Sequence, residues 1–265
     1  MKVFLLLSFA LASSFAMLNA QDNPLDFTNT VKRIYVGPAA GINYTGNGGS
    51  FSSLSGEANC PVFSAGNSPG FYLGITAEYM LGEDANSNSS IIARLLYDNM
   101  PIFFTVPGSD QPVQYPNGQV VPTTTSHDIQ VTYPMITTEI LYKLNPFGNM
   151  FGFTVGPSFG IPLGAKQEER LNLVDPPEGQ FIIPPGEDPA KYRNFNRTYV
   201  YYNDVIPNVN PFRLALKVGA HLEISQGKML IVPNINYNFG ITSVNSKDSW
   251  RINALQAGVD VRFAL

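Results

Sequence analysis

The residues of this sequence best equipped for chemistry are Glu78, Arg94, Asp98, Glu139, Lys143, Arg213, Lys217, His221, Glu223, Asp260 and Arg262. Each lies in a segment where apolar and non-apolar residues alternate, and each falls on the non-apolar phase. The acids Glu78, Asp98, Glu139, Glu223 and Asp260 are matched one for one by the bases Arg94, Lys143, Arg213, Lys217 and Arg262. Successive side chains on a β-strand point to opposite faces, so the whole set shares one face if these segments are strands. Opposite charges crowded onto an enclosed face pair with one another. The pattern therefore predicts a network of salt bridges and hydrogen bonds rather than a catalytic constellation.

Other groupings fail on spacing. Ser126, His127 and Asp128 stand together, but neighbours on a strand face opposite ways and cannot make a triad alone. Asp84, Asn86 and Asn88 copy the opening of a calcium loop, yet Ser89 stands where the turn needs Gly and Leu95 where the closing Glu belongs. His127 and His221 are the histidines of the chain and Cys60 its cysteine, which gives no metal-ligand cluster and no internal disulfide. No Gly-rich loop fits a phosphate cradle. A net charge of -4 leaves no basic patch for nucleic acid. The expectation is a protein that is not an enzyme, with no catalytic residue, cofactor or metal.

The elements that must position the charged set are strands. In Met150–Gly164 the bulky residues Phe151, Phe153, Val155, Pro157, Phe159, Ile161 and Leu163 alternate with Gly152, Thr154, Gly156, Ser158, Gly160, Pro162 and Gly164. A solvated strand face carries charged and polar residues, whereas this second set is small and suits a crowded interior. Similar alternation runs over Ile34–Tyr44, Phe71–Leu81, Ser90–Asp98, Asp128–Leu144, Phe212–Ile224, Met229–Ile241 and Ile252–Leu265. In Asp128–Leu144 the apolar phase changes after Pro134, which predicts a bulge there because Pro lacks the ladder donor. Eight such segments predict an all-β fold, an antiparallel up-and-down barrel with bulky groups toward lipid and charged or small groups in a narrow lumen.

Connection lengths give an independent reading. Short turns at 82–89, 145–149 and 225–228 alternate with connections at 45–70, 107–127, 165–211 and 242–249, most of them long. Membrane barrels place short turns in the periplasm and long loops outside. Within the long ones, Tyr115 to Gln119 reads as a hairpin tip, and Phe181–Ile183 with Thr198–Val205 as a ribbon above the rim. Tyr199, Tyr201, Tyr202 and Arg197 read either as a contact surface or, the preferred reading, as inert ribbons on the rim. At the N-terminus, Lys2 followed by the apolar run Val3–Ala12 and the small residue Ala20 reads as a signal peptide over 1–20, then a leader over 21–32 and the barrel over 33–265. No later segment offers the ~20 apolar residues of a membrane-crossing helix. A mean hydropathy of -0.01 fits strands in which the two phases cancel.

From Glu139, Ile140, Leu141, Tyr142 and Lys143 through Pro146, Phe147 and Gly148 to Gly156, Pro157 and Gly160, the hairpin resembles the PorT-like or "porin family" outer-membrane barrels of Bacteroidetes and related bacteria. The resemblance implies a Gram-negative outer-membrane location, a barrel of about eight strands and, in one branch, a part in protein secretion. The chain departs from the usual terminal aromatic by placing Phe263 before Leu265. The expected role is a structural or surface-interaction barrel with a plugged lumen, partnered by outer-membrane lipid, the barrel-assembly machinery and an envelope protein. A small gated channel, a secretion component and a secreted soluble barrel stand as alternatives.

Overall fold

The structure is a computed structural model that describes residues 34–50, 62–81, 88–108, 111–114, 120–146 and 150–265. The expected signal peptide and leader, Cys60, Asp84, Asn86 and the hairpin tip at 115–119 lie outside the described residues. In chain order the strands begin with β1 (Ile34–Gly48), β2 (Gly66–Met80), β3 (Ser89–Asn99), β4 (Ile102–Pro107), β5 (Gln111–Gln114), β6 (Val120–Thr132), β7 (Pro134–Leu144) and β8 (Phe151–Pro162). They continue with β9 (Lys166–Asp175), β10 (Tyr192–Arg193), β11 (Thr198–Val205), β12 (Arg213–Leu222), β13 (Ile224–Gln226), β14 (Met229–Gly240) and β15 (Arg251–Ala264). One 3-10 turn spans Pro189–Lys191.

Eight strands close into an antiparallel barrel in the order β1-β2-β3-β7-β8-β12-β14-β15. Closure comes from β1, which pairs with β15 on one side and β2 on the other. A closed ring leaves no sheet edge, so every strand in it has two ladder neighbours. Bulky residues point out of the ring and small or charged ones into it: Ile75, Leu95, Ile140, Phe153, Leu216, Ile235 and Val259 are exposed, whereas Thr76, Arg94, Glu139, Thr154, Lys217, Asn236 and Asp260 are buried. This polarity contradicts the alternative of a soluble barrel with an apolar interior.

Three barrel strands run on past the ring. After Met100 and Pro101, β3 continues as β4; β6 leads through Tyr133 into β7; and β8 turns at Gly164, in the left-handed region at φ 92, into β9. The pairings β4–β6, β6–β9 and β9–β11 repeat the order β3–β7–β8–β12 below them. The result is an upright sheet that extends one part of the barrel wall. Strands thus occupy much of 107–127 and 165–211. The partner of Thr198–Val205 is Lys166–Asp175 and not the expected Phe181–Ile183.

The expected bulge at Pro134 is absent. Every odd residue from Ile129 to Lys143 is buried and the phase never slips. What changes is the lining. From Thr137 toward the ring the inward positions are Thr137, Glu139, Leu141 and Lys143; from Met135 upward, Met135, Tyr133, Val131 and Ile129 enter an apolar core. That core joins the upright sheet (Ile102, Phe104) to the opposite wall (Trp250, Ile252, Ala254) and to Phe63, Ile206 and Val244. Phe104 packs edge-to-face against Phe63 at 6.1 Å and Trp250 at 6.0 Å. Hydrophobic burial here closes the mouth of the ring.

The small phase of β8 has a steric cause. A Cβ on Gly156 would stand 2.0 Å from the Ile140 carbonyl oxygen on β7, so strand approach at this point requires hydrogen at Cα. Gly156→Val is expected to cost about 1–3 kcal/mol or more and to abolish the mobility difference between unheated and boiled samples on a gel. The outward neighbour change Phe153→Leu is expected to keep that difference.

Candidate functional site

The ring gathers the charged residues into a shaft. Glu78 comes from β2, Arg94 and Asp98 from β3, Glu139 and Lys143 from β7, Arg213, Lys217 and His221 from β12, and Asp260 and Arg262 from β15; Glu223 follows β12. All of them are buried, none above 8% exposed. They are distant in sequence but adjacent in register, because Arg94 stands opposite Glu139, Ser90 opposite Lys143, and Glu78 opposite Ile92.

Within the shaft the charges form one alternating chain. His221 lies 3.3 Å from Glu223, which also binds Lys143. Lys143 reaches Glu78, Glu78 binds Arg262, and Arg262 binds Asp260. Asp260 accepts from Arg94 at 2.7 Å, Arg94 lies 3.6 Å from Glu139, and Glu139 accepts from Lys217. Glu78, Asp260 and Glu139 thus each stand between two cations, and Glu223 between Lys143 and the His221 ring. Ser90 adds a hydrogen bond to Glu78, and the Lys217 ammonium sits 5.7 Å from the Tyr72 ring.

Asp98 and Arg213 sit above this chain and are met by amides. Asp98 accepts from Asn43 at 2.6 Å, and Asn43 in turn accepts from Gln256 at 2.8 Å. Arg213 donates to Asn238 Oδ1 and the Ile252 carbonyl, both at 2.8 Å. Ile252 belongs to the apolar core, so Arg213 is where the charged shaft meets its cap. Sequence reasoning left that cap out. Its signal was present in the unbroken odd phase through Tyr133, but apolar residues there read as lipid-facing.

The rim residues do not assemble into a catalytic group. Ser126 and Asp128 share one face of β6, where Asn172 donates to Ser126 at 3.3 Å and to Asp128 at 2.7 Å. His127 lies on the other face. Burial holds its pKa below the ordinary histidine value, against the pull of Asp128. Arg197 is committed to backbone: it donates to the carbonyls of Leu173 at 2.8 Å, Val174 at 3.1 Å, Pro176 and Gly179 at 3.0 Å each, and Pro177. It is a clasp for the turn after β9 rather than a contact residue.

The outer surface is graded by height. Register places Tyr44, Phe71, Tyr97, Phe159, Phe212 and Phe239 near one edge of the belt and Tyr79, Tyr142, Phe151, Phe153 and Phe263 near the other. Aliphatic residues fill the band between. From Phe71 to Tyr79 is about 26 Å along the strand at ~3.3 Å per residue, or roughly 20 Å along the axis at the usual strand tilt. Among the described residues no charge faces outward within this band.

Fold and shaft together define a closed eight-stranded β-barrel with an apolar outer belt and an ionic interior. No family model matches the chain, and no curated protein matches it. Among solved structures it is similar to Ail, the attachment invasion locus protein of Yersinia pestis, at 10% identity over 87% of this chain and 99% of that one, with a TM-score of 0.35. Neisserial surface protein A gives 15% identity, 88% and 97% coverage and a TM-score of 0.29. The outer membrane protease OmpT from Escherichia coli gives 9%, 89%, 98% and 0.30. At these scores the likenesses carry nothing about the role of this chain.

Lys143 is the cation shared by Glu78 and Glu223. Removing it strands Glu223 with His221 alone, so Lys143→Met is expected to lower stability by about 3–5 kcal/mol in denaturant titration of the refolded barrel. Adding Glu223→Leu is expected to recover much of that loss, since Glu78 keeps Arg262 and Ser90.

Proposed function

We propose that the chain is an outer-membrane β-barrel of structural or surface-interaction type whose shaft is closed. The observation that carries this reading is the double seal: an alternating ion chain fills the shaft, and an apolar core with Trp250 and Phe104 fully buried covers its mouth. An eight-stranded ring has an interior only wide enough for side chains, so filling it this way leaves no conducting path.

The membrane reading is supported by the aliphatic band between aromatic edges, the pattern that matches a hydrocarbon layer flanked by interfaces. Orientation follows from the connections: the end bearing the upright sheet faces outward from the cell, and the end with the short connections faces the periplasm. Outer-membrane lipid is then the immediate neighbour, the barrel-assembly machinery the route of insertion, and an envelope or surface protein the partner. The reading is non-enzymatic and involves no nucleic acid or cofactor, since the ionisable residues are spent on one another. The Glu139 to Gly160 hairpin supports membership of the PorT-like group, and the upright sheet favours a surface role over a secretion component.

Conductance across a planar bilayer separates this reading from a small gated channel. The purified barrel is expected to give no steady single-channel steps. The single change Lys217→Ala is expected to stay closed, because the apolar cap remains. Pairing it with Trp250→Ala is expected to raise leak. A stable open level in the unchanged protein would overturn the proposal.

A further inference from the structure

The turn between β10 and β11 holds Asn194, Phe195 and Asn196 in succession at φ 53, 55 and 58. Asparagine tolerates the left-handed region, but a bulky residue there is an outlier whose backbone is strained. The ring so held is not packed: Phe195 is 86% exposed, and Ile182, in the connection between β9 and β10, is 84% exposed. Neither belongs to the lipid-facing belt. Strand β9 climbs from Lys166 beside the ring to Asp175, about 30 Å at ~3.3 Å per residue, and the turn sits at that far end, where Thr198 pairs with Asn172.

The loop is held firmly in this conformation. The Arg197 amide donates to the carbonyls of Arg193 at 3.2 Å and Asn194 at 3.1 Å, and the Phe181 amide donates to Asn196 at 2.7 Å. The Arg197 guanidinium gathers the carbonyls of the preceding turn. Pro176, Pro177, Pro184, Pro185 and Pro189 restrict the rest of the segment. Strained backbone and an exposed apolar ring both cost free energy in the isolated chain. A rigid loop that carries them already has the conformation in which binding a partner loses little entropy.

We propose that Phe195, with Ile182 on the segment that the Phe181 amide ties to Asn196, is the apolar anchor of a docking site for a protein that offers an apolar cleft. The inference rests on the outward orientation proposed above. Charge argues for a protein rather than a lipid surface: within 176–197 the acids Glu178, Glu187 and Asp188 balance the bases Lys191, Arg193 and Arg197, and the Arg197 guanidinium is turned onto backbone carbonyls, so no net positive charge draws the tip to anionic headgroups. The rim instead carries paired charges, Lys191 with Glu187 at 3.5 Å and Arg193 with Glu168 at 3.1 Å. An aromatic anchor within a polar rim is the composition of protein interfaces.

The test places photo-reactive benzoylphenylalanine at position 195 of the full chain in intact cells of its own host, and at Asn203 as a control. Phe195→Cys in a Cys60→Ser background is labelled in parallel with a membrane-impermeant maleimide. The expected result is labelling from outside, together with a discrete protein adduct at 195 and none at 203. The captured protein, once purified, should then bind the unchanged barrel and bind Phe195→Asn at least about tenfold more weakly. Asparagine suits the left-handed backbone, so this variant should keep the folded gel mobility and isolate the loss of the ring. Absence of outside labelling would overturn the orientation, and the docking site with it. Outside labelling combined with no adduct, adducts only to lipid or to another copy of this chain, or unaltered binding by Phe195→Asn would overturn the docking site alone.

Discussion

Ionised groups cannot stand alone in a low-dielectric interior, and this barrel answers that constraint by threading them into a single alternating chain. From His221 to Lys217 each link joins a carboxylate to a basic side chain, and all but His221–Glu223 and Arg262–Asp260 tie one part of the ring to another, so the ladder must close in one register for the chain to form. A slip of one residue on any strand would turn its charges toward hydrocarbon, where a Lys or Arg costs roughly 2–4 kcal/mol at mid-depth. The network is therefore better understood as a determinant of register than as a source of net stability, because buried pairs recover little beyond their desolvation cost.

On the membrane reading proposed above, two solvents bound the molecule and change what an apolar residue means along one strand. Between the aromatic edges, the large side chains of β7 point to lipid and the shaft takes Thr137, Glu139 and Lys143. Past Tyr133 lipid gives way to water, and the same inward phase carries Ile129 and Val131 into a conventional core. The outward phase there becomes polar, with Asp128, Gln130 and Arg170 hydrogen-bonded across the upright sheet. One backbone period thus serves a membrane protein below and a water-exposed β-sheet above.

That reversal also explains how much was legible in the sequence. Period-two alternation located the segments that became the ring and put Glu78, Arg94, Lys217 and Asp260 on a common face, because parity depends on backbone geometry alone. It could not say which medium each face meets, so Ile129, Val131, Tyr133 and Met135 read as lipid-facing, and a bulge at Pro134 was needed to reconcile them with Glu139. Lys166–Asp175 was read as loop because Glu168 and Arg170 on its outer phase and Gln167 and Glu169 on its inner phase leave no apolar rhythm, and its pairing with Thr198–Val205 is a distant contact. The strained turn at Phe195 left no sequence signal, since Asn-Phe-Asn has no distinctive turn pattern.

The assignment of one phase to hydrocarbon and the other to a dry ionic shaft is tested most directly by nitroxide labels placed singly at Val155, Leu216 and Val259, and at Lys217, in barrels reconstituted into lipid vesicles. Labels at Val155, Leu216 and Val259 are predicted to collide with dissolved oxygen and not with a water-soluble nickel chelate, while a label at position 217 meets neither. Nickel access at Leu216 and its outward companions, or oxygen access at position 217 equal to theirs, would contradict the arrangement.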